Sequence, residues 1–111
     1  MNYSDLESIA KQAEGPVYVY DASKIEGQYR RLKKAFSGIE KLKINYACKA
    51  LSNISVLKFM HSMGSGLDTV SIQEVLLGLE AGFQPQDIIF TPNGVSLEEI
   101  EAVAEKGVQI N

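Results

Sequence analysis

The sequence predicts an α/β fold in which a parallel sheet is built from successive βα units. Beyond residue 42, short apolar segments alternate with longer segments whose apolar residues recur at helical spacing. Each of these helical segments begins at a serine or asparagine cap and stops at a glycine. Such alternation is typical of a parallel sheet covered by helices. The glycines predicted to end helices along the whole chain are Gly15, Gly38, Gly64, Gly82 and Gly107.

The length limits how much of such a fold the chain contains. A (β/α)₈ barrel needs roughly 250 residues, and these 111 residues end on a predicted strand at residues 108–110. We therefore expect the first half of a TIM-type barrel, incomplete in this chain and belonging to a longer protein. The sequence has no Gly-x-Gly-x-x-Gly segment and no Gly-Lys-Ser/Thr segment. A Rossmann dinucleotide site and a P-loop are therefore unsupported.

The composition indicates a soluble, cytoplasmic protein. Hydrophobic residues make up 45% and charged residues 23% of the chain, as is ordinary for globular domains. The net charge of -3 gives no reason to expect nucleic acid or a membrane surface as a partner. One cysteine cannot form an internal disulfide, and no second cysteine stands at metal-ligand spacing, so no metal site is predicted. The chain start lacks a signal-peptide pattern, and no apolar run is long enough to span a membrane.

The first predicted elements lie before residue 39. A capping box of Ser4 and Glu7 begins a helix that ends before Gly15. A short apolar strand follows at residues 17–20. Asp21 or Ser23 begins a second helix, and its predicted apolar stripe consists of Ile25, Tyr29, Leu32 and Phe36.

The remaining elements follow from the same signals. Strands are predicted at residues 43–49, 66–70, 88–91 and 108–110. The intervening helices begin at Asn53, Ser71 and Ser96. Their predicted inward residues are Val56, Leu57, Met60 and Met63 in the first helix, Ile72, Val75, Leu76 and Leu79 in the second, and Leu97, Ile100, Val103 and Ala104 in the third.

Lys49 is the candidate for chemistry. It ends the strand 43–49, in which Tyr46 and Cys48 alternate with Ala47 and Lys49. Successive side chains of a strand point to opposite faces, so Lys49 is expected to face away from Tyr46 and Cys48. In a barrel, helices cover the bulky face and the carboxyl end of the strand carries the active site. An ordinary strand-end lysine with its charge in water is the alternative that spacing alone leaves open.

Four segments of the chain together resemble the fold-type III pyridoxal-phosphate decarboxylases, and among these the diaminopimelate decarboxylases. The similarity extends over nearly the whole chain. The segments occur in the order and at the spacing of that family: residues 16–21 (PVYVYD), 46–50 (YACKA), 64–71 (GSGLDTVS) with Glu74, and 88–96 (IIFTPNGVS). Four positions depart from the family pattern. Leu51 replaces an asparagine, Ile72-Gln73 replaces two glycines, and Pro92 replaces a glycine.

The resemblance implies a cofactor and a set of site residues. Lys49 would form the internal Schiff base with pyridoxal 5'-phosphate and act as the catalytic lysine, with Asp68 and Glu74 near it as cofactor-binding residues. A lysine suits this task because its neutral amine is a nucleophile. The residues alone leave other roles open. Glu74 completes a possible capping box with Ser71, and Asp68 could cap a loop at its strand end.

The resemblance also implies an activity and an assembly. The leading expectation is decarboxylation of a small amino acid, meso-2,6-diaminopimelate, to L-lysine by a homodimer. In this view residues 1–21 pair with a β-rich second domain and residues 22–111 form the first half of the barrel. Three alternatives remain: another fold-type III enzyme (an ornithine- or arginine-type decarboxylase or an amino-acid racemase), a non-catalytic single-barrel protein that binds pyridoxal phosphate, and a βα module without a cofactor.

Overall fold

A computed structural model describes residues 1–111 and divides into two compact units, Met1–Ala35 and Phe36–Asn111. The first unit contains the helices α1 (Tyr3–Gln12) and α2 (Ala22–Ala35). The second unit contains four parallel strands in the order β1-β2-β3-β4, which confirms the predicted βα alternation. Its elements are β1 (Asn45–Ala47), α3 (Ile54–Ser62), β2 (Gly66–Thr69), α4 (Ile72–Glu80), β3 (Ile88–Phe90), α5 (Leu97–Ala104) and β4 (Gln109–Ile110), with 3₁₀ turns at Cys48–Ala50 and Pro85–Asp87.

The first helix is capped by other residues than predicted. The Asn2 side chain accepts a hydrogen bond from the Asp5 amide (3.0 Å), and the Asp5 carboxylate accepts one from the Asn2 amide (2.8 Å). The prediction of Ser4 and Glu7 was therefore wrong by two residues, because asparagine and aspartate can form the same reciprocal cap. Asp21 begins α2 as predicted and accepts from the Ser23 amide (3.0 Å).

Two segments of the first unit differ from the prediction in this structure. Residues 17–20 form no strand, because a strand needs a neighbour to complete its hydrogen-bond ladder and these residues have none in the structure. Their side chains are exposed, Tyr18 at 93% of its surface. In the predicted stripe of α2, Tyr29 is buried, whereas Leu32 is exposed and Phe36 lies beyond the end of the helix.

The register of the sheet separates two faces. Tyr46, Leu67 and Ile88 are paired across β1, β2 and β3, so their side chains share one face. Gly78 of α4 lies against Leu67 and Ile88, which identifies this face as the one that the helices cover. The next row, which contains Ala47, Asp68, Ile89 and Gln109, therefore lies on the opposite face.

Strand β1 is shorter than predicted. It ends at Ala47, and the chain then makes a 3₁₀ turn that the Leu51 amide closes by donating to the Cys48 carbonyl (3.1 Å). Lys49 therefore lies in this turn and not in the strand. Cys48 is fully buried, as expected for a side chain on the face that the helices cover.

The helix starts of the second unit agree with the sequence. Asn53, Ser71 and Ser96 each accept a hydrogen bond from an amide in the first turn of α3, α4 and α5. The largest fully buried side chains form a core between the sheet and these helices. They are Phe83, Phe90, Leu57, Leu67, Ile88, Val75, Val103, Thr69 and Cys48.

Three apolar side chains predicted to be inside are exposed: Leu76 at 47%, Leu97 at 65%, and Ala104. Leu76 follows the buried Val75 directly, which places it about 100° further around the helix. Six residues separate Leu97 from the buried Val103, which is about 1.7 turns, so these two side chains lie on different sides of α5. The buried stripe on α4 and α5 is therefore narrower than the spacing of their apolar residues predicts.

Gly78 should resist substitution because α4 packs closely on the sheet. A Cβ at this position would lie 2.5 Å from Cδ2 of Leu67 and 3.2 Å from Cδ1 of Ile88, both fully buried. Overpacking costs about 1–3 kcal/mol, and the helix propensity of alanine returns up to about 1 kcal/mol. We expect Gly78→Ala to lower the free energy of unfolding by about 1 kcal/mol, measured by urea denaturation.

Gly27 provides the matched control, because it also lies inside a helix but has open space where a Cβ would stand. Gly27→Ala should raise stability by about 0.5–1 kcal/mol. An equal gain from Gly78→Ala would contradict the close packing of α4 on β2 and β3.

Cys48 should make stability depend on pH in the alkaline range. Burial, together with the negative charge of Glu74, raises its pKa from 9.0 to about 11. The folded protein thus holds the thiol proton more tightly than the unfolded chain. This contribution to stability is complete below pH 9 and is lost as the pH rises through 11.

The measurement is the free energy of unfolding between pH 7 and about pH 11, compared with Cys48→Ala, which removes the titrating group. Above pH 9, the protein with Cys48 should lose stability relative to the Cys48→Ala variant. A constant difference across this range would show that the thiol titrates equally in both states. The chain has no other cysteine, so thiol labelling can follow the same transition.

Candidate active site

The carboxyl ends of the four strands meet at one edge of the sheet. Two backbone hydrogen bonds extend the ladder just past the strands: the Thr91 amide donates to the Thr69 carbonyl (2.8 Å) and the Asn111 amide to the Phe90 carbonyl (2.9 Å). Lys49, Asp68 and Glu74 all belong to segments at this edge. Functional sites of parallel α/β folds lie at this end of the strands.

Lys49 is exposed at the centre of the 3₁₀ turn that follows β1. This turn packs against β2, the strand that carries Asp68. Two contacts fix the turn on either side of the lysine. Cys48 is completely buried, and the Tyr46 hydroxyl donates to the Leu51 carbonyl at 3.1 Å. Lys49 makes no ion pair. The turn is therefore fixed in place, while the side-chain amine that it carries is not bound by a carboxylate.

Asp68 lies on β2, on the face that the helices do not cover. Its Oδ1 accepts a hydrogen bond from the Thr91 hydroxyl at 2.9 Å, and the residue is half-buried. Thr91 was not predicted as a site residue from the sequence. The signal was available in the strand alternation, because Thr91 stands two residues after Ile89, the register partner of Asp68.

Glu74 lies in the first turn of α4, and its side chain accepts a hydrogen bond from the backbone there. Its Oε2 accepts from the Val70 amide at 2.8 Å, one residue before the capping Ser71, and its own amide donates to the Ser71 hydroxyl at 3.3 Å. The charge of Glu74 also contributes to the raised pKa of Cys48. The carboxylate is thus electrostatically coupled to the turn that contains Lys49.

A second overlooked residue is Glu99 on α5. It is the acidic member of the Ser96-x-x-Glu99 segment, but its Oε1 accepts from the Ile72 amide of α4 at 2.8 Å. The first free amide of one helix is therefore satisfied by a side chain from the next. No local sequence pattern indicates this bond, because 27 residues separate the two partners.

Lys43 is engaged at the opposite edge of the sheet. Its ammonium lies 2.6 Å from the Asp87 carboxylate and 3.1 Å from the Gln86 carbonyl. A Cβ on Gly66 would collide with Asn45 Oδ1 and with the Lys43 chain, so this glycine leaves room for both side chains. His61 packs against the Phe83 ring, with a centroid distance of 5.0 Å.

Two further classes of site find no support in the structure. The His, Cys, Asp and Glu side chains nowhere form a group of three or more that could hold a metal ion. None of the helices combines the length and the apolar character that a membrane crossing requires.

Comparison with known proteins gives consistent results. Residues 22–111 match the model of the family described as pyridoxal-dependent decarboxylase, pyridoxal binding domain. The chain is 39% identical over 109 residues to the diaminopimelate decarboxylase of Methanothermobacter thermautotrophicus, which covers 97% of this chain and 26% of that protein. It is 43% identical over 100 residues to the enzyme of the same name from Helicobacter pylori, covering 90% of this chain and 24% of that protein.

A solved structure agrees with the sequence matches. The crystal structure of diaminopimelate decarboxylase from Helicobacter pylori complexed with L-lysine superposes with a TM-score of 0.86 at 38% identity, covering 99% of this chain and 27% of that one. The predicted partial-barrel α/β fold is confirmed. The chain spans about a quarter of the length of the curated relatives it matches. It belongs to the pyridoxal-dependent decarboxylases, with residues 22–111 in their pyridoxal binding domain.

Proposed function

We propose that the full-length protein decarboxylates meso-2,6-diaminopimelate to L-lysine with pyridoxal 5'-phosphate and that Lys49 is its catalytic, cofactor-binding lysine. The observation that carries this proposal is the position of Lys49. Its amine is exposed, makes no ion pair and lies on a fixed turn beside the strand of Asp68. The similarity to diaminopimelate decarboxylases supports the choice of substrate.

The donor set of the chain fits this cofactor. An aldehyde requires an amine that is accessible and not held by a carboxylate, and Lys49 meets both conditions. A carboxylate favours the charged form of a nearby lysine, and Asp68 has an oxygen, Oδ2, to which the structure assigns no hydrogen bond. The group that meets the pyridine nitrogen is expected outside this chain. The residues that bind the phosphate group are expected outside this chain.

In the full-length enzyme, Lys49 would hold the cofactor covalently through Nζ, and its free amine would be available once the substrate is bound. The bound cofactor supplies an electron sink for the pair left behind when the carboxylate departs as CO₂. The free Lys49 amine could then carry a proton at Nζ and serve as the acid that protonates the product. Asp68 and Glu74 are proposed to orient that ammonium and the cofactor, since carboxylates favour the charged form of a nearby lysine.

The rest of the protein is proposed to complete the site. The full-length enzyme is expected to be a cytoplasmic homodimer acting in lysine biosynthesis. The segment 17–20, exposed and without strand partners here, suits a strand that pairs with a β-rich second domain. In this arrangement residues 1–21 belong to the junction between domains and residues 22–111 to the barrel.

Borohydride reduction of the full-length protein should fix pyridoxal phosphate on Lys49, as read by peptide mapping. Lys49→Ala should abolish turnover, because no other side chain offers the amine at this place. Its effect on stability should stay within about 0.5 kcal/mol, because the side chain is exposed. Label on Lys43 or Lys58 in place of Lys49 would refute the assignment.

Lys58→Ala is the control for this experiment, because Lys58 is an exposed lysine on the nearby helix α3. Its variant should keep both the labelled peptide and the turnover. A loss of solubility in Lys49→Ala alone would indicate that the lysine is structural.

A substrate panel should separate the proposal from its alternatives. Release of CO₂ from meso-2,6-diaminopimelate should exceed release from ornithine, arginine and lysine, because specificity arises from differences in transition-state binding. Faster decarboxylation of ornithine or arginine, or racemisation without release of CO₂, would favour another enzyme of the same barrel type. Cofactor binding with no turnover of any amino acid would indicate a carrier.

A further inference from the structure

We propose that Thr91 is a positioning residue that holds the Asp68 carboxylate in the orientation needed to bind the cofactor. This inference rests on the proposed function and adds a residue to its site. It starts from one contact, the hydrogen bond that the Thr91 hydroxyl donates to Asp68 Oδ1 at 2.9 Å. No ion pair restrains Asp68, so this bond is the contact that fixes its carboxylate.

The backbone of Thr91, which carries this hydroxyl, is held in place. The Thr91 amide donates to the Thr69 carbonyl at 2.8 Å, which ties the residue to the end of the β2 ladder. A β-branched side chain has few accessible rotamers. Pro92 follows directly and restricts the backbone of the preceding residue to extended conformations. Pro92, one of the departures from the family pattern, therefore helps to fix the direction of the Thr91 side chain.

The hydrogen bond from Thr91 makes the two carboxylate oxygens of Asp68 different from each other. A hydroxyl can donate one hydrogen bond, and the Thr91 hydroxyl donates it to Oδ1 of Asp68. No hydrogen bond is assigned to Oδ2, on the face of the sheet that the helices leave uncovered. Glu74 also has one bonded oxygen, Oε2, but its partner is the backbone amide of Val70 and no side chain. Asp68 thus has one oxygen anchored by a side-chain hydroxyl and one available for a ligand.

Thr69 offers a matched control on the other face of the same edge. Its hydroxyl donates to the Ile89 carbonyl at 3.0 Å, and the residue is fully buried in the helix-facing row. Replacement of either threonine by valine removes one hydroxyl at nearly constant volume. Only Thr91→Val removes a contact of Asp68.

The experiment measures the dissociation constant of pyridoxal phosphate from the apo form of the full-length protein by absorbance titration, together with kcat and KM. Thr91→Val should weaken cofactor binding roughly 10-fold. Thr91→Ser, which keeps the hydroxyl, should return the constant to within about threefold of the original. Thr69→Val should lower the midpoint of thermal unfolding while changing cofactor affinity by less than about threefold.

A double-mutant cycle tests whether Thr91 acts through Asp68. In an Asp68→Ala background, Thr91→Val should weaken cofactor binding no further, and this comparison holds even if the valine variant is less stable. Independent, additive effects of the two substitutions, or equal losses from Thr69→Val and Thr91→Val, would overturn the proposal. An unmodified protein that binds no cofactor would refute the proposed function and this inference together. Normal binding by the unmodified protein and by Thr91→Val would refute only the role of Thr91.

Discussion

The close contact of α4 with β2 and β3 at Gly78 determines the arrangement of the rest of the second unit. Because no side chain separates the helix from the sheet there, Leu67 and Ile88 are pressed against the helix and buried. Strand alternation then leaves the row that contains Asp68 on the opposite face. The placement of a charged residue on the uncovered face is thus a consequence of how the hydrophobic residues pack on the other.

At the carboxyl ends of the strands, side chains of one βα unit form hydrogen bonds with groups of the neighbouring unit. Thr91, directly after β3, holds a carboxylate of β2, and Glu99 of α5 satisfies the first amide of α4. The loop between β2 and α4 receives a third restraint from Glu74, through the Val70 amide. Hydrogen bonds that involve charged acceptors are stronger than neutral ones, so these side chains stiffen a loop whose own backbone has few local partners. Two of these three bonds join residues more than 20 positions apart, so the carboxyl ends of the strands are held together by contacts between successive units.

Local signals in the sequence predicted much of this structure. Asn53, Ser71 and Ser96 were identified as helix starts because capping depends on residues within one turn. The turn that contains Lys49 was missed, since a backbone hydrogen bond between Leu51 and Cys48 leaves no signature in side-chain alternation. The roles of Thr91 and Glu99 were missed because they depend on the register between units. Residues 17–20 have strand composition without a ladder, and composition alone cannot supply the neighbour.

The turn after β1 gives an adjacent thiol and amine, those of Cys48 and Lys49, opposite environments. Cys48 is buried, and both its burial and the charge of Glu74 raise its pKa, so the thiol stays protonated at neutral pH. The thiolate is the reactive form of cysteine. Lys49, the next residue, is exposed, so its amine reaches solvent while the sulfur does not. The same turn therefore buries the thiol in its neutral form and exposes the amine, which supports the proposal that Lys49 and not Cys48 is the reactive group.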